Sequence, residues 1–203
     1  MKKILQITFL LVGGMSMLLM SFHYLQSNST GILQNKAIAA SFWYLLTFRL
    51  HILFGIIAIL IGPFQFLKGL RTKYLILHRA FGYVYFSSVL LSGLAGLVVA
   101  QFAMGGQLTA VGFTMLSILW LYTTIKAVGA IKNGNIAKHK KWMFLSYALT
   151  FSAITQRTTL LIPLLTDVPF IPVYQASAWF PWMFNLSIAY ALYQRSANVQ
   201  AGV

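Results

Sequence analysis

The sequence predicts an all-α integral membrane protein, a polytopic helical bundle of about six transmembrane helices in a single domain, 1–203. Two observations support this fold class directly. Hydrophobic residues make up 59% of the chain and charged residues only 8%, whereas soluble domains carry about 25% charged residues. The apolar residues also form six stretches that are long enough to cross a hydrocarbon core, which takes about 20 helical residues.

Each of the six stretches is expected to be a helix, because backbone facing lipid must satisfy its hydrogen bonds within its own segment. The stretches cover residues 4–25, 42–67, 77–100, 108–131, 142–165 and 174–194. The first begins after Lys2 and Lys3, as a secretory signal does, but its apolar run is longer than a signal core. No small-residue cleavage site closely follows it, so we expect this helix to stay in the protein. In the third stretch, four small residues at helical spacing predict a close approach to a neighbouring helix; they are Ser88, Ser92, Gly96 and Ala100.

Lysine and arginine collect on alternate connections between the stretches. The second connection and the following turn hold Lys68, Arg71, Lys73 and Arg79, and the fourth holds Lys132, Lys138, Lys140 and Lys141. The connections on the other side hold Lys36 and Asp167 and almost no other charge. By the positive-inside rule both termini are cytoplasmic, which predicts a multi-pass protein of the cytoplasmic membrane. The net charge of +14 therefore needs no nucleic-acid partner, and the expected partner is the lipid bilayer.

The scarcity of acids and the lack of cysteine exclude several classes of chemistry. Asp167 is the single acidic residue, and there is no cysteine. Paired-carboxylate glycosidases, aspartic proteases and carboxylate-rich Mg²⁺ or Ca²⁺ sites each need two or more acids. Thiolate nucleophiles, iron–sulfur clusters and cysteine-bound zinc need cysteine. Histidines, hydroxyls and a few cations within apolar segments remain.

These remaining polar residues are predicted to form two layers. His78 and His139 lie at the inner ends of the third and fifth helices, whereas His51 and Arg157 lie nearer the outer side. Arg157 follows His139 by 18 residues, or about 27 Å of helix. An arginine inside a membrane normally has a partner, and the predicted helices contain no acid to offer.

Imidazole is a common axial ligand of haem iron, so His78 and His139 are candidate ligands of a haem b whose propionates Lys140 or Arg79 would meet. His51 and Arg157 are candidates for an outer site that takes a quinone or a small anionic group. For both layers, interpretations without a ligand also stay open. The histidines would then be hydrated beside lipid headgroups, and Arg157 would only reach the outer interface.

Several motifs together resemble an uncharacterised bacterial family described as predicted membrane proteins with a domain of unknown function. They are Gly62-Pro63-Phe64-Gln65, His78-Arg79 with Gly82, His139-Lys140-Lys141-Trp142 with Ser146, and Arg157. The resemblance covers about residues 45–165 and implies no activity. A looser similarity to cytochrome b561 and ferric-reductase bundles implies haem held between histidine-bearing helices. Because the fourth stretch has no histidine, at most one haem is expected.

The leading hypothesis is therefore a membrane redox or quinone-binding protein that uses His78 and His139. A carrier for a small solute or anion, with Arg157 in its site, is the first alternative. A membrane assembly or partner protein without catalysis is the second.

Overall fold

The all-α prediction is confirmed by a computed structural model that describes residues 2–26, 33 and 37–201. Within these residues there are helices and turns but no β-strand. The α-helices are α1 (Lys2–Gln26), α2 (Phe42–Ile61), α3 (Lys68–Thr72), α4 (Leu75–Ala100), α5 (Gln107–Lys132), α6 (Ile136–Thr159), α7 (Ile162–Leu165), α8 (Phe170–Ser177) and α9 (Phe180–Ala201). Short 3₁₀ helices cover Ala37–Ala40 and Gly62–Phe66. Lys36 lies outside the described residues.

The second predicted helix is shorter than the apolar stretch that encodes it. The prediction of one helix over 42–67 was wrong in its last six residues, because α2 ends at Ile61 and a 3₁₀ turn follows. Pro63 stands in the first turn of that 3₁₀ helix. Proline has no N–H to donate and clashes with the preceding turn of an α-helix, so the chain tightens there.

The fifth predicted helix begins earlier and ends earlier than hydropathy indicated. The prediction was 142–165, whereas α6 begins at Ile136 and ends at Thr159. Asn135 caps its first turn, since the side chain accepts a hydrogen bond of 2.9 Å from the Lys138 backbone N–H. The first turns carry lysines and are too polar for an apolar stretch, which is why hydropathy missed them.

The sixth predicted helix, 174–194, is two helices. The structure places α8 and α9 on either side of Ala178 and Trp179. Pro181 stands in the first turn of α9, where a missing N–H costs no helical hydrogen bond. It therefore begins the new helix, as proline commonly does.

Three segments of the described part are long and apolar enough to cross a membrane, namely Phe42–Phe66, Leu75–Ala100 and Gln107–Lys132. They support a membrane helical bundle. The count of six spans, the cytoplasmic termini and a single domain over 1–203 stay predictions.

The contacts of the chain group into two compact units, unit 1 (Met1–Phe102) and unit 2 (Ala103–Val203). In unit 1, α2 packs against α4. The four small residues predicted to form a ridge on α4 are all buried, as a close helix–helix approach requires. In unit 2, α6 packs against both α5 and α9.

Candidate functional site

In unit 1, His51 of α2 and Ser92 of α4 form a reciprocal pair, in which each side chain makes a hydrogen bond to the backbone carbonyl of the other residue. The His51 Nδ1 atom lies 2.9 Å from the Ser92 carbonyl oxygen, and the Ser92 hydroxyl donates to the His51 carbonyl at 2.8 Å. Gly55 stands one turn along α2, where a Cβ atom would come within 3.3 Å of the Ser92 Oγ. The glycine therefore leaves room for this reciprocal pair.

The pair decides which nitrogen of His51 carries the proton. A carbonyl oxygen only accepts hydrogen bonds, so Nδ1 must be the protonated, donating nitrogen. The Ser92 hydroxyl has one proton, which it donates to the His51 carbonyl. In the longer 3.3 Å contact with Nδ1, the Ser92 Oγ atom is therefore a second acceptor for the ring N–H. In the neutral ring the lone pair is then on Nε2.

In unit 2, His139 is held in the same way. It lies in the first turns of α6, is half-buried, and its Nδ1 atom is 2.9 Å from the Ala127 carbonyl oxygen of α5. By the same argument Nδ1 donates and the neutral ring carries its lone pair on Nε2. Metal-bound histidines usually have this arrangement, with the second ring nitrogen donating to a carbonyl or carboxylate.

His78 lies near the start of α4, beside the 3₁₀ turn of unit 1. Its ring is half-buried with a buried Nδ1 atom, and its carbonyl oxygen is 3.5 Å from Nε2 of the buried Gln65. A Cβ atom on Gly82 would lie 3.4 Å from the Gln65 Oε1. Three of the residues that carry the family resemblance thus meet at one place. Arg79 is exposed.

Arg157 stands in the last turn of α6, half-buried, and its guanidinium donates to the Gln156 side-chain carbonyl. A cation at this end of a helix is favoured by the unsatisfied terminal carbonyls. Sequence analysis missed a second arginine of this kind, Arg49, which lies within apolar α2, half-buried and with a buried Nε atom. The available signal was a lone cation inside an apolar run, since such a charge is costly in a membrane.

The predicted layers combine residues of different units. His51 and His78 belong to unit 1, and His139 and Arg157 to unit 2. Pairing of His78 with His139, and of His51 with Arg157, therefore stays a prediction. Within residues 2–26, 33 and 37–201, no three or more histidine or acidic side chains form a group that would hold a metal ion.

Four hydroxyl and indole groups join α5 to α6 between the heights of His139 and Arg157. The Trp120 indole N–H donates to the Thr150 hydroxyl at 2.9 Å, and the Thr124 and Ser146 hydroxyls share a hydrogen bond of 2.6 Å. Thr124 and Ser146 are fully buried. Of these four residues, sequence analysis had named only Ser146, as part of a family motif.

Asn185 of α9 makes the corresponding contacts on another side of α6. Its amide donates to the Ala148 carbonyl at 3.3 Å, the Ser152 hydroxyl at 3.3 Å and the Thr155 hydroxyl at 3.1 Å. Polar contacts thus fix α6 to both of its neighbours, which holds His139 and Arg157 on a rigid helix.

Comparison with known families identifies the family to which the chain belongs. The profile of the family described as "Predicted membrane protein (DUF2306)" matches residues 48–193, well over half of the chain. The chain belongs to the DUF2306 family. This confirms the resemblance to a family of predicted membrane proteins of unknown function. The comparison does not support the looser similarity to cytochrome b561, and no curated protein and no solved structure matches.

The DUF2306 segment contains every candidate site residue described above. It begins just before Arg49 and His51 and ends in α9 after Asn185. The candidate sites of both units therefore belong to the part of the protein that defines the family, whereas α1 lies before it.

Proposed function

We propose that this DUF2306 protein is a membrane redox protein of the bacterial cytoplasmic membrane that binds haem b through the Nε2 atom of His139. The hydrogen bond of 2.9 Å from the His139 Nδ1 to the Ala127 carbonyl carries the proposal. It leaves the lone pair on Nε2, the atom that a haem iron would take. The carbonyl partner also fixes the orientation of the ring.

From the sequence, His78 is predicted to be the second residue that would hold this haem. His78 also stands at the start of its helix, half-buried, next to the exposed Arg79. An arginine suits a haem propionate, because its planar guanidinium binds carboxylates in a bidentate manner. Haem would supply a one-electron redox group in the membrane.

His51 gives the same protein a candidate quinone contact. Its ring is fixed by Ser92 in the tautomer that accepts a hydrogen bond at Nε2. A quinol hydroxyl is a donor of the right kind, and Arg157 is the cation assigned to the same outer layer by the sequence.

The test is the absorbance spectrum of the full-length protein, purified in detergent after expression with ample haem. We expect a Soret band in the parent, and loss of it in His139→Gly and His78→Gly. Added imidazole should restore the band in both glycine variants if the lost group is a ligand rather than a fold element. His23→Gly, outside the family segment, is the control that should keep the band. A parent without a Soret band, or a His139→Gly variant that keeps it, would refute the proposal.

Arg157 supports a second candidate, a carrier for a small anion. Its guanidinium is half-buried at the end of α6, and the chain has only one acidic residue to compete for it. Uptake of a labelled anion into liposomes should then disappear in Arg157→Gln and persist in His139→Gly. The opposite pattern, or no uptake by the parent, would reject the carrier.

A further inference from the structure

Two lysines and four aromatic rings form a cluster in unit 2, where α5 ends and α6 begins. This cation–aromatic cluster consists of Tyr122, Lys126, Lys141, Trp142, Tyr190 and Tyr193. The Lys141 Nζ atom lies 5.7 Å from the ring centroid of Trp142 on its own helix. On α9, it lies 6.0 Å and 5.7 Å from the centroids of Tyr190 and Tyr193. Three rings therefore hold one ammonium group.

The second lysine continues the cluster on α5. The Lys126 Nζ atom is 5.5 Å from the Tyr122 centroid, and the Tyr122 and Trp142 rings meet edge to face, 5.6 Å apart. Aromatic faces attract cations, but they carry no net charge. The rings therefore do not supply a counter-charge for either lysine.

The chain offers no acidic side chain for these lysines. The single acid is Asp167, which follows the opposite end of α6. From Lys141 to the end of α6 at Thr159 are 18 residues of helix, or about 27 Å. The counter-charge comes from outside the protein's side chains.

The depth of the cluster matches the border between hydrocarbon and headgroups. α5 has 26 residues, about 39 Å, so it extends about 4–5 Å beyond each side of a hydrocarbon core of about 30 Å. Lys126 stands six residues before the end of α5, about 9 Å of helix. Its stem thus begins just inside the hydrocarbon and carries the ammonium outwards. Tyrosine and tryptophan are the residues enriched at this level.

An exposed apolar stripe runs along α5 to the same place. Its members recur at intervals of three and four residues, which puts them on one helix face; they are Leu108, Val111, Met115, Ile118, Tyr122 and Ile125, between 40% and 57% exposed. Lys126 stands at its end and is itself exposed. A cationic group above an apolar stripe matches a molecule with an anionic head and long acyl chains.

We propose that the cation–aromatic cluster binds the phosphate of an anionic phospholipid, whose acyl chains lie along the α5 stripe. Lys126 and Lys141 supply the charge, and the rings orient the ammonium groups at the headgroup level. The stripe favours a lipid over a free phosphate ion, which would leave those apolar residues without a partner. The cluster stands next to His139, with Lys141 two residues further along α6, but the proposal does not rest on haem binding there.

The experiment measures which lipid contacts Trp142. The full-length protein is placed in phosphatidylcholine nanodiscs, and brominated phosphatidylglycerol or brominated phosphatidylcholine is titrated in. Bromine quenches nearby tryptophan, and subtracting the fluorescence of Trp142→Phe isolates this one residue. We expect phosphatidylglycerol to quench Trp142 at a lower mole fraction than phosphatidylcholine does. Lys141→Met should weaken binding of the anionic lipid about fivefold, the effect of one lysine at a membrane surface.

Matched variants make the result specific. Lys141→Arg keeps the charge and should restore the parent preference, Lys126→Met should reproduce the loss, and Lys68→Met, an exposed lysine of unit 1, should change nothing. Equal quenching by the two lipids would overturn the proposal. So would a loss in Lys68→Met as large as in Lys141→Met, since it would indicate general surface charge. Displacement of the brominated phosphatidylglycerol by inorganic phosphate at constant ionic strength would assign the site to a free anion instead.

Discussion

Replacing Thr124 with valine tests the polar contact that joins α5 to α6 at Ser146, further along α6 than His139. Valine keeps the shape of threonine and removes only the hydroxyl. That hydroxyl donates to the Trp120 carbonyl of its own helix at 2.7 Å, as a threonine on a helix often does, and accepts a 2.6 Å hydrogen bond from Ser146 across the two helices. Thr124 and Ser146 are fully buried. Hydrogen bonds between membrane helices contribute about 0.6 kcal/mol on average and at most about 1.7 kcal/mol. The short distance and full burial place this one near the upper end, so we expect Thr124→Val to lower the unfolding free energy by about 1–1.7 kcal/mol.

Thr123 provides a matched control on the neighbouring residue. It is also buried, but its hydroxyl donates to carbonyls of its own helix, Leu119 at 2.8 Å and Trp120 at 3.1 Å. Thr123→Val should therefore cost less than about 0.5 kcal/mol, because it breaks no contact between helices. In the double variant Thr124→Val/Ser146→Ala, the two losses should overlap, with a coupling energy of about 1 kcal/mol.

The assay is reversible unfolding of the full-length protein in mixed detergent micelles, followed by tryptophan fluorescence. Thr124→Val, Thr123→Val, Ser146→Ala and the double variant are compared with the parent at one protein concentration. If Thr124→Val destabilises no more than Thr123→Val, or if the double variant is additive, the bond between α5 and α6 does not hold them together as argued.

Three further predictions concern close packing and tautomers. Gly112→Ala should destabilise unit 2 by about 1–3 kcal/mol, because the new Cβ would lie 2.8 Å from the Ala178 carbonyl; a neutral result in the same unfolding assay would contradict that packing. The Cβ atom added by Gly129→Ala would meet nothing within 4 Å, so this substitution should stabilise α5 by about 0.5–1 kcal/mol; a loss of stability would contradict the open space at Gly129. Ser92→Ala should leave His51 protonated at Nδ1 in ¹⁵N NMR spectra, since the carbonyl that accepts the proton remains; a shift of the proton to Nε2 would refute the tautomer assignment.

Composition and periodicity were sufficient for the fold class and the approximate positions of the long helices, and the resemblance of several motifs was sufficient for the family. An apolar stretch of about 20 residues has one stable backbone form in lipid, so α4 and α5 were predicted to within two residues at each end. Helix ends were harder to predict where the apolar stretch and the helix do not begin or end at the same residue. The start of α6 is helical but carries lysines, and Pro63 ends α2 inside an apolar run. Arg49 was visible in the sequence and was missed.

Some properties of this protein follow from the sequence alone and others follow only from the tertiary structure, and the division has a physical reason. The charges, the helices and the types of candidate residue follow from local order, because they depend on neighbours along the chain. The proton positions on His51 and His139, and the partners of Thr124 and Lys141, depend on which carbonyl, hydroxyl or ring stands opposite on another helix. That depends on the rotation and height at which two helices pack, to within the reach of a hydrogen bond. The periodicity of one helix identifies the face it turns inward but not the atoms that this face will meet.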